Sequence, residues 1–312
     1  MHLNDNDVQE NKKIKTGFVA LIGMPNVGKS SIINAMLEEK AVAVSHKPQT
    51  TRNAIRCIYT SDKEQIIFVD TPGVHTPEHN LGKYMLQEAL DTLNQVDLIC
   101  FVVDALSSKI NEREEMILET LSSVTVPVIL IINKIDKLKN IDLYDRVASL
   151  YCNRFCFKDV VPISALENIN LKKLIEKISV FLPTQPYIYD KDMLMDVTER
   201  FLAAEIIREK ILLHTEEEVP HSVAVLIEEF KNPDEYPELK VAKIRATIIV
   251  DRVGQRGIII GKKGLKLKEI GCAARIDLVE KFGYPIYLEL WVKVKPGWKK
   301  SVDELRRLGY SS

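Results

Sequence analysis

The chain has 312 residues, enough for about two domains that each bury a core. Its 46% hydrophobic and 28% charged residues describe an ordinary soluble globular protein. Five scattered cysteines are an odd number, which argues against a disulfide framework and for reduced thiols. No apolar stretch approaches the roughly 20 residues of a membrane helix, and the polar start is unlike a signal peptide. We therefore expect a cytoplasmic protein.

Charge is unevenly distributed along the chain. The net charge is −1, but residues 252–300 hold twelve Lys/Arg and four Asp/Glu, which gives that segment +8 and the remainder −9. A basic segment in an otherwise acidic chain indicates a polyanionic partner for one end.

The first motif lies at residues 23–30, between an apolar run at 18–22 and a helical pattern at 31–37. Its spacing is G-x-x-x-x-G-K-[ST], in which backbone amides surround phosphate oxygens, a lysine holds the terminal phosphates and a hydroxyl binds Mg²⁺. The alternative is a tight glycine turn without a ligand. The predicted phosphate-binding residues are Gly23, Met24, Pro25, Asn26, Val27, Gly28, Lys29 and Ser30.

Strands and helices alternate after this loop. Strands are predicted at 57–59, 65–69, 97–103, 127–132 and 159–163, the first two as a hairpin, and helices at 82–93, 112–121, 143–151 and 171–181. Apolar strands followed by amphipathic helices predict an α/β fold with a mostly parallel sheet covered on both faces. Ligands of such sheets bind at the carboxyl ends of the strands, where the motifs fall.

The second motif ends the strand at 65–69 and consists of Asp70, Thr71, Pro72 and Gly73. A carboxylate there can hold Mg²⁺ through water, and the Gly73 amide can meet a γ-phosphate. A plain Thr-Pro-Gly turn is the alternative.

The third motif follows the strand at 127–132 and consists of Asn133, Lys134, Ile135 and Asp136. The Asp136 carboxylate can accept two hydrogen bonds from guanine, whereas adenine offers no such donor pair. Ser164 and Ala165, after the next strand, are expected to support the base. This motif narrows the prediction to a guanine nucleotide.

A different pattern begins after the helix-breaking prolines of residues 183–186. We predict a tail at 1–15, a GTPase domain at 16–182, a linker at 183–192 and a second, α+β domain at 193–312. In the second domain we expect a helix at 193–213, strands at 221–230, 241–250 and 286–294, a helix pair around 261–264 and a short C-terminal helix.

The helix pair carries a Gly-Lys-Lys-Gly turn. Two glycines that flank lysines let a nucleic-acid backbone approach, and apolar neighbours form a groove for about four bases. This spacing alone is weak, and the alternative is a basic turn without a ligand. The predicted RNA-binding residues are Ile260, Gly261, Lys262, Lys263, Gly264, Lys266 and Lys268.

Together these motifs resemble the TrmE–Era–EngA-type GTPases, specifically a member with a KH RNA-binding domain. The resemblance implies slow GTP hydrolysis and Mg²⁺ held by Ser30, Asp70 and a switch threonine. Thr51 is favoured over Thr50 for that threonine. Val74 stands where many signalling GTPases place a water-orienting glutamine, so hydrolysis must depend on other groups. The expected catalytic residues are Lys29, Asn26, Thr51 and Gly73, with Asn26 as a candidate ligand of K⁺.

The family further implies a monomer that binds the 3′ end of 16S ribosomal RNA, assists assembly of the 30S subunit and contacts the inner membrane peripherally. Two alternatives stay open. One is a nucleotide-regulated, membrane-associated cell-cycle switch, and the other is a constitutive RNA-binding scaffold.

Overall fold

The structure is a computed structural model that describes residues 13–39, 41–42, 52–53, 55–70, 80–82, 84–85, 93–140, 143–216 and 219–310. These residues form two compact units. The first unit runs to Asp196 and the second from Val197, with residues 80–82 and 84 grouped with the second.

A seven-stranded sheet forms the first unit, in the order β2–β3–β1–β4–β5–β6 with β7 paired to β1. Its strands are β1 (Ile14–Gly23), β2 (Ile55–Thr60), β3 (Glu64–Asp70), β4 (Leu98–Asp104), β5 (Val128–Asn133), β6 (Asp159–Pro162) and β7 (Thr184–Gln185). Strands β3, β1, β4, β5 and β6 are parallel, whereas β2 and β7 are antiparallel to their neighbours. The predicted mostly parallel sheet and the β2–β3 hairpin are therefore confirmed.

Helices pack against the sheet, and Ile117, Leu118 and Val147 from two of them join strand residues in one hydrophobic core. The helices are α1 (Lys29–Leu37), α2 (Glu112–Ser122), α3 (Tyr144–Cys152) and α4 (Leu171–Phe181). Every residue of β5 is buried, as expected for a strand covered on both faces. Helix α2 begins with a capping box, in which Asn111 accepts from the Glu114 amide and Glu114 accepts from the Asn111 amide.

The parallel register brings the polar ends of several strands to one edge of the sheet. Asp70 pairs in register with Leu21, two residues before the end of β1, and Asp104 pairs with Asn133. This edge is the one at which an open α/β sheet binds ligands.

Residues after β7 run along β2 and β3. The Gln65 side chain donates to the Tyr189 carbonyl (2.9 Å) and accepts from the amides of Ile188 (2.8 Å) and Tyr189 (3.0 Å). The Ile58 amide donates to the Leu194 carbonyl at 2.8 Å. The prediction of a helix from residue 193 is therefore wrong for residues 193–198. Some of these residues pair with β2, and the helix begins only at Glu199, with Thr198 as its N-cap.

The second unit contains a three-stranded sheet in the order β10–β9–β8, with β8–β9 antiparallel and β9–β10 parallel. Its elements are α5 (Glu199–His214), α6 (Val219–Ser222), β8 (Ala224–Lys231), β9 (Ala242–Val250), α7 (Val253–Ile260), α8 (Leu265–Phe282), β10 (Ile286–Val294) and α9 (Val302–Arg307). Helices α5, α7 and α8 contribute Ile207, Ile259 and Ile270 to a core with one face of this sheet.

Candidate nucleotide and RNA sites

The loop at residues 23–30 joins β1 to α1, as its motif predicts. Gly23 and Gly28 have φ of 157° and 100°. A Cβ on Gly23 would lie 2.3 Å from the Val102 carbonyl oxygen, and one on Gly28 would lie 2.3 Å from Nδ2 of Asn133. Both positions therefore require glycine, because of backbone conformation and because neighbouring strands approach closely.

Lys29 is buried at the start of α1, with 7% of its surface exposed. Its Nζ donates to the carbonyl oxygens of Gly23 (3.0 Å) and Met24 (3.1 Å). Burial lowers the pKa of Lys29 to about 8, although the nearby Asp70 carboxylate acts in the opposite direction. A cation that donates to carbonyl oxygens in a buried loop is suited to bind phosphate oxygens.

Ser30 and Asp70 meet beside this lysine. The Ser30 hydroxyl donates to Oδ2 of Asp70 at 2.8 Å, and Asp70 at the end of β3 is fully buried. One hydroxyl and one carboxylate fit Mg²⁺, which binds few protein ligands and completes its shell with water and substrate phosphates. Accordingly, no group of three or more His, Cys, Asp or Glu suited to a metal occurs among the described residues.

Asn133 ties the phosphate loop to the base loop. Its Nδ2 donates to the Val27 carbonyl (2.9 Å), and its Oδ1 accepts from the Ala165 amide (3.1 Å). Only 2% of Asn133 is exposed. This side chain therefore fixes the distance between the two ends of the candidate nucleotide site.

Lys134, which follows Asn133 in the same motif, makes a second connection to the phosphate loop. Its backbone is left-handed with φ of 69°, and its Nζ donates to the Asn26 carbonyl (2.6 Å) and to Oδ2 of Asp104 (2.8 Å). Sequence reasoning missed Asp104, because the predicted strand stopped at residue 103. The signal was a polar residue that ends an apolar strand, in register with Asn133.

Asp136 lies on a 3₁₀ turn at Ile135–Lys137, directly after β5 and Lys134. Its Oδ1 accepts from the Ser164 hydroxyl at 2.5 Å, and the same hydroxyl oxygen accepts from the Glu167 amide at 3.1 Å. The loop after β6 thus orients the carboxylate that is expected to read guanine. The structure places Ser164 against Asp136 and Ala165 against Asn133.

Asn26 occupies an exposed, left-handed position of the phosphate loop, with φ of 66°. Its main-chain oxygen is held by Lys134, which fixes the loop at this residue. The candidate residues Thr50, Thr51, Thr71, Pro72, Gly73 and Val74 lie outside the described residues.

The Gly-Lys-Lys-Gly turn separates α7 from α8, as predicted. Gly261, Lys263 and Gly264 all have positive φ, of 69°, 52° and 77°. A Cβ on Gly261 would lie 2.7 Å from Cβ of Lys266, so this glycine lets the turn close on α8. Lys262 and Lys263 are both exposed.

Apolar and basic side chains flank this turn. Ile258 on α7 and Leu265 on α8 are 42% and 58% exposed, and Lys268 is exposed one turn further along α8. The turn also precedes the N-terminus of α8, which has no side-chain cap and whose dipole favours an anion. This combination suits a phosphodiester backbone with bases against apolar surface.

Within the part of the chain that the structure describes, no helix has the length and apolar character needed to cross a membrane.

Comparison with known proteins gives consistent matches. A family model described as 50S ribosome-binding GTPase matches residues 18–134, and one described as KH domain matches residues 218–299. GTPase Era of Alkaliphilus metalliredigens (strain QYMF) is 44% identical over 296 residues, which cover 95% of this chain and 99% of that protein.

Two crystal structures are similar over nearly the whole chain. One is a variant of Era from Aquifex aeolicus bound to GDP·AlF4⁻, and the other is Era in complex with MgGDPNP and nucleotides 1506–1542 of 16S ribosomal RNA. Each is 40% identical with a TM-score of 0.91, and the match covers 96% of this chain and 100% of the other.

Proposed function

The chain belongs to the Era family of GTPases, and from that premise we propose that its second unit binds the 3′ end of 16S ribosomal RNA under control of the nucleotide in its first unit. The observation that carries the proposal is the presence, in one chain, of a built guanine-nucleotide site and an exposed Gly-Lys-Lys-Gly turn.

Guanine selection is assigned to Asp136. Its carboxylate, oriented by Ser164 at 2.5 Å, accepts from the N1 and amino groups of guanine. A site built to pair these donors rejects adenine, since adenine offers no such pair of donors to the Asp136 carboxylate. Asn133 and Ala165 hold the two loops in place around the base.

The phosphates are assigned to the loop at residues 23–30. Lys29 exchanges the carbonyls of Gly23 and Met24 for phosphate oxygens, and Ser30 with Asp70 holds Mg²⁺. When bound, Mg²⁺ neutralises charge on the β- and γ-phosphates. The family resemblance implies that Thr51 also binds the Mg²⁺ ion and that residues 71–74 contact the γ-phosphate.

Hydrolysis adds water to the γ-phosphorus of GTP and releases GDP and phosphate. Val74 has no group that can orient this water. We therefore assign catalysis to Lys29 and the loop amides, which stabilise the negative charge that develops on the β–γ bridging oxygen of the leaving GDP. Asn26 is exposed on that loop, and we assign it as a ligand of a K⁺ ion that further stabilises the charge of the transition state.

RNA binding is assigned to the turn at residues 261–264 and its surroundings. Lys262, Lys263, Lys266 and Lys268 supply positive charge, while Ile260 and its apolar neighbours face the bases. The protein then assists assembly of the 30S subunit as a cytoplasmic monomer, and a peripheral contact with the inner membrane is a separate, weaker expectation of the family.

The test is binding of a 3′-end RNA oligonucleotide to the full chain with GDPNP and with GDP. We expect the two affinities to differ, and we expect Lys262→Asp with Lys263→Asp to abolish binding in both states. Equal affinities with the two nucleotides would leave the proposed switch without a mechanism.

One variant and one flotation experiment address the alternatives. A constitutive scaffold predicts that Lys29→Ala, which removes the phosphate ligand, leaves cellular function unchanged. A membrane switch predicts that the chain floats with anionic vesicles and that RNA of any sequence competes equally.

A further inference from the structure

The outer face of the second unit's sheet carries two exposed aromatic side chains. Along β10, Leu288, Leu290, Val292 and Val294 pack against the core that α8 covers. The alternate residues point to the opposite face, and two of them, Tyr287 and Trp291, are 60% and 57% exposed. Because β10 is an edge strand, only β9 flanks these side chains within the sheet.

The two rings form a platform of fixed spacing. They lie four residues apart on one face, which corresponds to about 13 Å along the strand. The Trp291 indole N–H donates to Oε1 of Glu289 at 3.0 Å. The indole donor is therefore satisfied within the strand, so a ligand is left with the face of the ring rather than its polar edge.

Positive side chains surround this platform. Lys243 on β9 is the register partner of Tyr287, Arg245 is the partner of Glu289, and Lys293 follows Trp291 on the same face. Lys231 on β8 lies opposite Lys243. At the paired positions of this face, four cations thus accompany two carboxylates, Glu229 and Glu289.

The carboxylate Glu229 is engaged with its own neighbours. It lies 3.0 Å from Lys231 and 3.5 Å from Arg245. On the same face, Thr247 and Ile249 of β9, which are the register partners of Trp291 and Lys293, are buried, as is Ala224 of β8. The exposed part of the outer face therefore consists of the β10 edge, which carries both rings and Lys293, and of the end of β9 that carries Lys243 and Arg245.

We propose that this outer face of β9 and β10 binds single-stranded RNA by stacking bases on Tyr287 and Trp291, with Lys243 and Lys293 meeting the phosphates. Aromatic rings on an exposed sheet beside positive side chains are suited to unpaired bases, and the net positive charge complements a phosphodiester. The inference rests on the proposed function in that the second unit binds RNA, and it extends the contact beyond the four nucleotides of the Gly-Lys-Lys-Gly turn.

Tryptophan emission gives a direct readout. The chain has two tryptophans, and Trp298 is 1% exposed with its indole N–H donating to the Ser222 carbonyl at 3.1 Å. Quenching by RNA therefore reports Trp291. We expect a 12-nucleotide single strand from the rRNA 3′ end to quench the full chain, and the corresponding RNA duplex to leave its emission unchanged.

Variants at the platform measure its contribution. Trp291→Ala should weaken binding of the 12-nucleotide strand by about 5- to 150-fold, the range for loss of one stacked base. Trp291→Phe, the matched control, keeps a stacking ring and should stay within about threefold of the parent. Lys243→Gln should lower the slope of log affinity against log salt by about 0.7.

The length of the RNA separates this inference from the proposed function. A four-nucleotide strand should bind Trp291→Ala and the parent equally, and should be lost with Lys262→Asp and Lys263→Asp. Retained binding in that turn variant refutes the proposed function. If Trp291→Ala binds the 12-nucleotide strand as tightly as the parent while the turn variant loses it, the platform is refuted and the proposed function stands. Stronger quenching by anionic vesicles than by RNA would also overturn the platform.

Discussion

Replacing Asn133 by alanine should uncouple the phosphate loop from the base loop. The Asn133 amide donates to the Val27 carbonyl at 2.9 Å, and its oxygen accepts from the Ala165 amide at 3.1 Å. The residue is 2% exposed, so water does not replace these partners freely. Both hydrogen bonds are lost together in Asn133→Ala.

The loss of stability in Asn133→Ala comes from the Val27 carbonyl and the Ala165 amide, which both lose their hydrogen-bond partner. A buried polar group that loses its partner costs about 1–3 kcal/mol, so two of them cost about 2–4 kcal/mol after partial hydration. In a unit of this size each kcal/mol lowers the Tm by about 2–4 °C. The Tm of the nucleotide-free first unit should therefore fall by about 4–16 °C, and GDP should bind at least tenfold more weakly.

Asn133→Asp is the matched variant. It keeps an acceptor for Ala165 but places a carboxylate oxygen against the Val27 carbonyl, so its damage should fall on the phosphate side and appear as faster GDP release.

The assay is thermal unfolding followed by far-ultraviolet circular dichroism, with release of a fluorescent GDP analogue measured in stopped flow. Both tryptophans, Trp291 and Trp298, lie in the second unit, so the midpoint from their emission serves as an internal control and should not move. A first-unit midpoint within about 1 °C of the parent, with unchanged GDP release, would refute the bridging role of Asn133.

Three further predictions concern the nucleotide site. Burial lowers the pKa of Lys29 to about 8, and a bound phosphate raises that pKa, so GDP binding should take up about half a proton at pH 8 and about a tenth of a proton at pH 7. Calorimetry in buffers of different ionisation enthalpy measures the number of protons taken up. Equal proton uptake at the two pH values would contradict this prediction. Asp136→Asn replaces an acceptor by a donor and should lower GTP affinity at least about 100-fold while favouring xanthosine triphosphate, so an unchanged preference between the two nucleotides would count against the base assignment. Turnover should be faster in K⁺ than in Na⁺ at equal ionic strength, and Asn26→Ala should remove that difference; equal rates of the parent in both salts exclude the ion.

Local patterns were sufficient to predict six of the seven strands and most of the described helices of the first unit, whereas the residues of β7 were assigned to a linker. The apolar run at residues 127–132 predicts a strand, and β5 spans Val128–Asn133. Glycine spacing and the flanking strand and helix patterns likewise predicted the loop at residues 23–30. These features depend on neighbours within a few residues, which a sequence displays directly.

The start of α5 could not be predicted in this way, because it is set by distant partners. Residues 193–196 have an apolar pattern that suits a helix, yet the carbonyl of Leu194 accepts from Ile58 and the amide of Asp196 donates to Arg56, more than 130 positions earlier. The Gln65 side chain similarly binds the main chain of Tyr189. Hydrogen bonds along an exposed strand edge outweigh a local helical preference, and only the tertiary structure shows them.

The Asn133–Asp136 motif shows a division of roles that its spacing does not reveal. Asn133 and Lys134 both bind the phosphate loop, through the carbonyls of Val27 and Asn26, whereas the Asp136 carboxylate is the group assigned to the base. Ser164 orients Asp136 by a further hydrogen bond. The loops after β1, β5 and β6 are therefore joined by hydrogen bonds of the protein itself. Less ordering then remains to be done on binding, which favours affinity, and a substitution at Asn133 or Lys134 should weaken GTP binding although neither side chain needs to touch the base.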